Sequence, residues 1–149
     1  FVGYTRRDYD QGNRNFRGLT TGFDTEWAVS GAVQMRASLG RSIEPDDDAV
    51  TGSYADTWSL NFSPTIQATG KITVEPYLRL YDRRYKGDQL AAGQVERKDK
   101  IYMVGAEANY EFRRNMFLMA SISREQRDSN RANLDYKANV FGLGLKVQF

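Results

Sequence analysis

The chain has 149 residues with no cysteine and no histidine, which excludes disulfides, histidine-dependent catalysis and the commonest metal ligand. Hydrophobic residues make up 40%, charged residues 27%, and the net charge of +2 is too balanced to indicate a nucleic-acid-binding surface. The mean hydropathy is −0.64, and no stretch approaches the roughly 18 consecutive apolar residues of a membrane helix, although a β-barrel also has low average hydropathy.

Apolar and polar residues alternate with a period of two along most of the chain, which predicts about eight antiparallel β-strands. Most of these strands are longer than the ~5–6 residues common in soluble proteins and match the ~9–11 residues of a tilted membrane strand. In chain order, the predicted strands cover residues 1–9, 18–27, 32–43, 54–63, 71–83, 100–112 and 116–124, and a last strand ends at Phe149.

The predicted connections alternate between short and long. Short connections fall at 28–31, 64–70 and 113–115, and long polar ones at 9–17, 44–53, 84–98 and 125–134. Outer-membrane barrels have short periplasmic turns and long extracellular loops. The sequence therefore predicts an all-β, antiparallel transmembrane β-barrel in a bacterial outer membrane, with a soluble β-sandwich as the alternative.

Two features qualify this prediction. Pro76 lies inside a predicted strand without an N–H for the ladder, so we expect a bulge or a locally open pair there.

When Tyr81 is aligned with Tyr4, an Arg-Arg pair follows each, and the first strand lacks a counterpart of residues 71–77. We therefore expect residues 1–149 to be the C-terminal portion of one larger barrel domain, which a native protein mass near 17 kDa would contradict.

Several turn and strand-end segments resemble a known family. These are residues 67–72 (QATGKI), the Arg-Arg pairs, 127–130 (RDSN), 135–139 (DYKAN) and 143–149 (LGLKVQF). They are similar to the β-barrel porin-2 family, which includes EpsL-like outer-membrane proteins of exopolysaccharide operons. The resemblance covers most of the chain and is strongest after residue 54. It implies an outer-membrane barrel of more than eight strands that passes or assists secreted polysaccharide.

The polar side of the predicted strands carries mixed charges and tyrosines. A Lys or Arg on the lipid side costs about 2–4 kcal/mol at mid-bilayer, and Arg36, Arg79 and Lys146 all fall on the polar side, whereas Arg41 is an exception expected beside the acidic loop. Tyrosines among charges suit sugars, although a salt-bridged interior that merely fills the barrel is the alternative. The candidate lumen-lining residues are Arg36, Glu75, Tyr77, Arg79, Tyr81, Glu107, Asn109 and Glu111.

The end of the chain alternates strictly and is typical of the signal that the barrel-assembly machinery reads, the alternative being an ordinary last strand. The residues of this candidate signal are Phe141, Leu143, Leu145, Val147 and Phe149. Aromatic residues at strand ends also predict girdles at both membrane interfaces. These are Trp27, Tyr54, Trp58, Tyr102, Tyr110 and Phe112.

Enzymatic and metal sites are not predicted. Glu107 and Glu111 would lie roughly 13 Å apart on a strand, too far for a glycosidase pair. The acidic run of Glu44, Asp46, Asp47 and Asp48 lacks calcium-loop spacing and is interpreted as a solvated loop. We expect no cofactor, no metal and no nucleic-acid partner. Expected partners are lipid, lipopolysaccharide at the Arg-Arg pairs, the assembly machinery and a polysaccharide.

Three functional hypotheses follow. The first is a porin-like channel that assists exopolysaccharide export. The second is a plugged structural or interaction barrel without transport. The third is a membrane enzyme, which this histidine-free sequence disfavours.

Overall fold

A computed structural model describes residues 1–8, 15–45, 54–86 and 95–148, and these form one antiparallel sheet. No helix among these residues is long and apolar enough to cross a membrane. The strands are β1 (Val2–Arg7), β2 (Phe16–Ser30), β3 (Val33–Pro45), β4 (Tyr54–Phe62), β5 (Thr65–Thr69), β6 (Ile72–Lys86), β7 (Lys98–Arg113), β8 (Met116–Ser129) and β9 (Tyr136–Val147).

The sheet is a meander in which neighbours in the chain are neighbours in space. The order is β1-β2-β3-β4-β6-β7-β8-β9, and β5 pairs with β3 and β6 below β4. β4 and β5 therefore act as two halves of one strand, which gives eight strand positions. Among the described residues β1 pairs only with β2, and β9 only with β8. The predicted all-β antiparallel architecture is confirmed.

The expected connection at 64–70 is wrong. Residues Thr65–Thr69 form strand β5, and the chain turns only at Gly70 and Lys71. Pro64 supplies no N–H and interrupts the strand, which sequence reasoning mistook for a turn. Beyond this interruption the backbone resumes pairing, with Ile66 opposite Val74.

Pro76 lies opposite this interruption. It pairs in register with Ala106 of β7, without the bulge that was one expectation. On its other side, β4 pairing ends at Phe62–Leu78 and β5 pairing begins at Ile66–Val74, so Pro76 has no ladder partner there. The locally open pair is therefore confirmed, because the missing N–H of Pro76 faces a gap in the neighbouring strand.

Strands extend beyond their predicted ends into polar sequence. β8 continues to Ser129 and β6 to Lys86, although residues 125–134 and 84–98 were expected to be loops. These polar extensions remain paired, as Arg127 with Ile101 and Tyr136 shows. The short turn at 114–115 falls inside the predicted connection at 113–115, and Asn115 adopts a positive φ of 62°. The turn at 31–32 overlaps the predicted connection at 28–31 only at Gly31, because β2 continues to Ser30. Residues 9–14, 46–53 and 87–94 of the expected long loops lie outside the described residues.

The register gives the sheet two chemically distinct faces. The apolar face carries rows such as Val74, Ala108, Ala120 and Leu143, which are mutually opposite across four strands. Neighbouring residues in the chain point to the other side, here called the polar face, where Ser121 lies opposite Glu107 and Gly142. The large side chains of the apolar face are mostly exposed.

The upper edge of the apolar face is the edge nearer the long connections, and it lies progressively higher from β9 to β4. On β9 it ends at Phe141, which lies level with Ile122 and, through Ala106, with Pro76 of β6. On β4 it ends at Trp58, level with Asp82, six residues further along β6 than Pro76. Six residues correspond to a rise of ~20 Å along a strand, and the four steps from β9 to β4 correspond to a width of ~19 Å across the sheet. This slope of about 45° is close to the strand tilt of a β-barrel.

Candidate functional site

The eight predicted lumen residues all lie on the polar face. On β6 and β7, Glu75 lies opposite Glu107, and Arg79 opposite Met103. On β3, Arg36 receives the same orientation from its pairing with Glu26. Whether this face lines a lumen stays a prediction, but the structure brings these side chains to one surface. The full set is Arg36, Glu75, Tyr77, Arg79, Tyr81, Glu107, Asn109 and Glu111.

Strand β6 presents an alternating series of tyrosines and arginines on this face: Tyr77, Arg79, Tyr81, Arg83 and Tyr85. We call these five residues the Tyr-Arg series. The Arg79 guanidinium carbon lies 4.5 Å from the Tyr77 ring centre, and that of Arg83 lies 5.8 Å from the Tyr81 ring. These cation–π distances keep both guanidiniums against the strand.

The upper end of the polar face holds a buried ionic cluster around Asp99, which has no exposed surface. Arg97 donates to its carboxylate from Nη2 at 2.8 Å, and Arg127 from Nη2 at 2.6 Å. Ser129 Oγ donates at 2.6 Å. Arg97 also stacks on the Tyr85 ring at 4.2 Å. Charge-assisted hydrogen bonds of this kind hold together the ends of β6, β7 and β8 that lie nearest the long connections.

A separate ionic pair lies on β2 and β3. Arg36 donates from Nη2 to Glu26 Oε2 at 3.1 Å, and the Gln34 amide also donates to Glu26. Both ionic partners are largely exposed, so this pair contributes little stability. It nevertheless occupies Arg36, which leaves that guanidinium less available than those of the Tyr-Arg series.

The lower half of the polar face contains two carboxylates in direct opposition. Glu75 on β6 and Glu107 on β7 are register partners. Like charges directly opposite each other destabilise a strand pair. Sequence reasoning compared Glu107 with Glu111 and missed Glu75, because cross-strand register was not available from residue spacing.

Replacing Glu107 by glutamine is expected to stabilise the protein by a few tenths of a kcal/mol, because the repulsion from Glu75 is removed. Urea unfolding of the refolded protein in detergent measures this gain. Glu111→Gln is the comparison, since Glu111 pairs with Lys71 on the side toward β6 and with Phe117 on β8, so its removal relieves no like-charge repulsion. Equal shifts for the two variants would contradict the explanation.

Gly105 allows the Tyr77 ring to lie close to the sheet. A Cβ on Gly105 would come within 2.6 Å of the Tyr77 ring carbon Cζ and within 2.7 Å of the Ile122 carbonyl oxygen. A side chain at this position would therefore have to displace both the ring and the backbone. The glycine thus positions the first ring of the Tyr-Arg series.

Gly105→Ala is expected to lower the free energy of unfolding by about 1–3 kcal/mol, through overpacking against Tyr77 and the Ile122 carbonyl. The midpoint of urea unfolding measures the loss. Gly144→Ala provides the comparison, because a Cβ there would meet only Met119 Cβ at 3.8 Å. If both glycines tolerate alanine equally, the close approach of Tyr77 does not constrain this site.

The apolar face carries its own charges above the apolar rows. Arg41, the exception noted in the sequence, bonds Asp56 through Nε at 2.9 Å and Nη2 at 2.8 Å, and Lys86 adds a contact of 3.5 Å. Its partner is thus a residue of β4, and Asp46, Asp47 and Asp48 of the acidic run lie outside the described residues. Adjacent arginines divide between the faces, since Arg84 pairs with Asp56 and Arg83 with Thr57.

The register gives all six predicted girdle aromatics the facing of the apolar side. Trp58 and Tyr102 are near its upper edge, whereas Trp27, Tyr110 and Phe112 are near the short turns. The sixth, Tyr54, lies above the apolar rows, opposite Lys86, and packs on Phe16 with ring centres 5.1 Å apart. Two separate levels of aromatics on one face match the arrangement expected of interfacial girdles.

The predicted C-terminal signal maps onto β9. Phe141, Leu143, Leu145 and Val147 share the apolar face and are exposed. Phe149 lies outside the described residues. The alternation is therefore present, and its recognition by the assembly machinery stays a prediction.

Sequence reasoning missed Asp99 and its partners. Asp99 falls between the expected loop at 84–98 and the predicted strand at 100–112, and Arg127 is 28 residues away. The turn at Arg114 and Asn115 was the available signal, but counting back from it places Asp99 opposite Asn130, because the ladder shifts by one residue between Glu111 and Arg113 and brings Asp99 opposite Ser129. Among the described residues, no group of three or more carboxylates could hold a metal ion.

Comparison with curated proteins and with solved structures found no match. Comparison with protein families found one match, which extends over residues 1–149 and carries the description "Putative beta-barrel porin 2". The all-β antiparallel sheet and its two-faced strands agree with that description. The chain therefore belongs to the beta-barrel porin 2 family.

Proposed function

We propose that the chain forms part of an outer-membrane channel for hydrophilic solutes, with the apolar face toward lipid and the polar face toward the passage. The observation that carries the proposal is that the charged side chains of the described strands lie outside the apolar rows along staggered strands, as in the row Val74, Ala108, Ala120 and Leu143. A membrane-facing strand needs this period of two, and a barrel needs the tilt of about 45°.

The solute favoured by the polar face is a saccharide chain. Tyrosines offer both a ring for stacking and a hydroxyl for hydrogen bonding, and the Tyr-Arg series supplies three of them along β6. The resemblance to proteins of exopolysaccharide operons supports the same class of solute. Export of an exopolysaccharide is thus the specific function that we propose.

A plugged barrel that serves a structural or interaction role is the alternative. The Asp99 cluster favours it, because Arg97, Arg127 and Ser129 already saturate that carboxylate and fill the upper polar face. In a narrow barrel such side chains leave no channel, whereas a wider barrel retains a water-filled passage.

Single-channel recording of the full-length protein in planar lipid bilayers separates the two functions. A steady open conductance that falls when a long neutral dextran is added supports a passage for saccharides. Absence of conductance from protein that has inserted, as shown by heat-modifiable migration in electrophoresis, would exclude the channel and favour the plugged barrel. Recovery of the protein in the soluble fraction of cells would exclude both.

A further inference from the structure

Two guanidiniums of the Tyr-Arg series lack a polar partner. Among the described residues, Arg79 makes its cation–π contact with Tyr77 but has no ion pair, and Arg83 Nε is buried without a hydrogen bond. The other arginines of this end of the polar face, Arg97 and Arg127, both bind Asp99. Because Arg83 Nε is enclosed by protein, a ligand would have to bind Arg79 and the terminal Nη groups of Arg83.

The spacing of these two donors defines an elongated site. They are four residues apart on one strand, which places their Cα atoms about 13 Å apart on the same face. A guanidinium stacked on a ring keeps its N–H donors at its edges, where they can bind a carboxylate, phosphate or sulfate in a bidentate manner. Two such groups in line suit an extended ligand with repeated negative charges.

The residues of β4 opposite the site, and their β3 partners Ser42, Gly40 and Ser38, are uncharged, whereas Glu44 lies further along β3, opposite Ala55. Thr57, Ser59 and Asn61 lie opposite Arg83, Tyr81 and Arg79, respectively. Asn61 donates from Nδ2 to Ser38 Oγ at 3.0 Å. Hydroxyl and amide groups without a carboxylate match the hydroxyls of a saccharide and do not repel its acidic groups.

The side toward β7 also leaves the arginines available. Met103 and Ile101 lie opposite Arg79 and Tyr81. Asp99 lies opposite Arg83, but Arg97, Arg127 and Ser129 already donate to its oxygens. Glu125 is next to Met103 on β8 and accepts a hydrogen bond from the Tyr136 hydroxyl. Four guanidiniums thus face two carboxylates, both of which already have partners.

We infer that Arg79 and Arg83, with Tyr77 and Tyr81, form a binding track for an acidic saccharide. The arginines bind its carboxylate groups, and the tyrosines and the β4 hydroxyls contact its sugar rings. This inference rests on the proposed function and specifies its solute as an anionic chain. The acidic residues Glu75 and Glu107 lie below the track, which confines the anion site to the half of the face nearer the long connections.

The inference is tested by isothermal titration of the full-length protein in detergent with trigalacturonate, maltotriose and inorganic phosphate. Trigalacturonate is expected to bind, and the double variant Arg79→Gln/Arg83→Gln to bind it about tenfold more weakly or worse, since charge-assisted bonds are lost. Arg84→Gln is the matched control, because it removes the same charge from the neighbouring position on the opposite face. It should change the affinity by less than about twofold.

Besides a failure of trigalacturonate to bind, three results would overturn the inference. These are equal affinity for maltotriose and trigalacturonate, equal affinity for inorganic phosphate and trigalacturonate, and equal losses in the double variant and in Arg84→Gln. Circular dichroism and heat-modifiable migration establish that each variant is folded. The assay measures binding and not conductance, so a conducting protein that fails to bind trigalacturonate contradicts the track and leaves the channel intact.

Discussion

Asp99→Asn is expected to lower the free energy of unfolding by about 3–5 kcal/mol, because it leaves buried guanidiniums without their counter-charge. Arg97 is buried and Arg127 largely so, and both donate to the Asp99 carboxylate. Neither can turn fully into solvent without giving up its stacking, which for Arg97 is the contact with Tyr85 at 4.2 Å. The loss should fall on the upper ends of β6, β7 and β8 together.

Urea unfolding of the folded protein in detergent, followed by tryptophan fluorescence, measures this effect. Asp82→Asn is the matched control, since Asp82 pairs with Arg84 at 3.2 Å on an exposed surface. Exposed pairs contribute about 0–1 kcal/mol. If Asp99→Asn costs no more than Asp82→Asn, the cluster is not the ionic core that the distances indicate.

The second large effect is expected on the apolar face. Ala120→Lys would place a cation in the row that contains Val74, Ala108 and Leu143, at the middle of the apolar face. A Lys facing lipid at mid-bilayer costs about 2–4 kcal/mol. We expect reduced stability in lipid vesicles and a smaller folded fraction after refolding.

Ser121→Lys is the comparison, since Ser121 is the next residue and lies on the polar face opposite Glu107. A cation there meets a carboxylate and should cost little. Folded fractions of both variants, measured by heat-modifiable migration after refolding into vesicles, test the assignment of the two faces. A greater loss for Ser121→Lys than for Ala120→Lys would reverse the proposed orientation of the sheet.

The alternation of residues predicted the strands and their facing because one face must be apolar along its whole length. On β8, the apolar residues Phe117 and Met119 lie on the polar face, yet Ala120 and Ile122 keep the apolar parity of the strand. Strand ends were less predictable. The extension to Ser129 is polar on both faces, and its pairing with β7 and β9 stabilises it more than local sequence indicates.

The candidate site was predictable only as a set of residues on one face. Arg79 and Tyr81 were found because parity alone assigns them to the polar side. The partners of each residue depend on register between strands. The opposition of Glu75 and Glu107 and the approach of Arg127 to Asp99 could therefore not be seen in residue spacing. Pro64 misled the prediction for a different reason, since a proline can interrupt a strand without turning the chain.

The meander order of the sheet has a consequence for how the protein folds and diversifies. Once β4 and β5 are counted as one strand, every ladder among the described residues joins strands that follow one another in the chain, so each pairing step spans a short separation and assembly can proceed as successive hairpins. If this order is part of a closed barrel, insertion or loss of one hairpin would alter its circumference without disturbing the pairing of the others. Pore size in such an architecture can change in whole-hairpin increments while the Tyr-Arg strand and its neighbours keep their register.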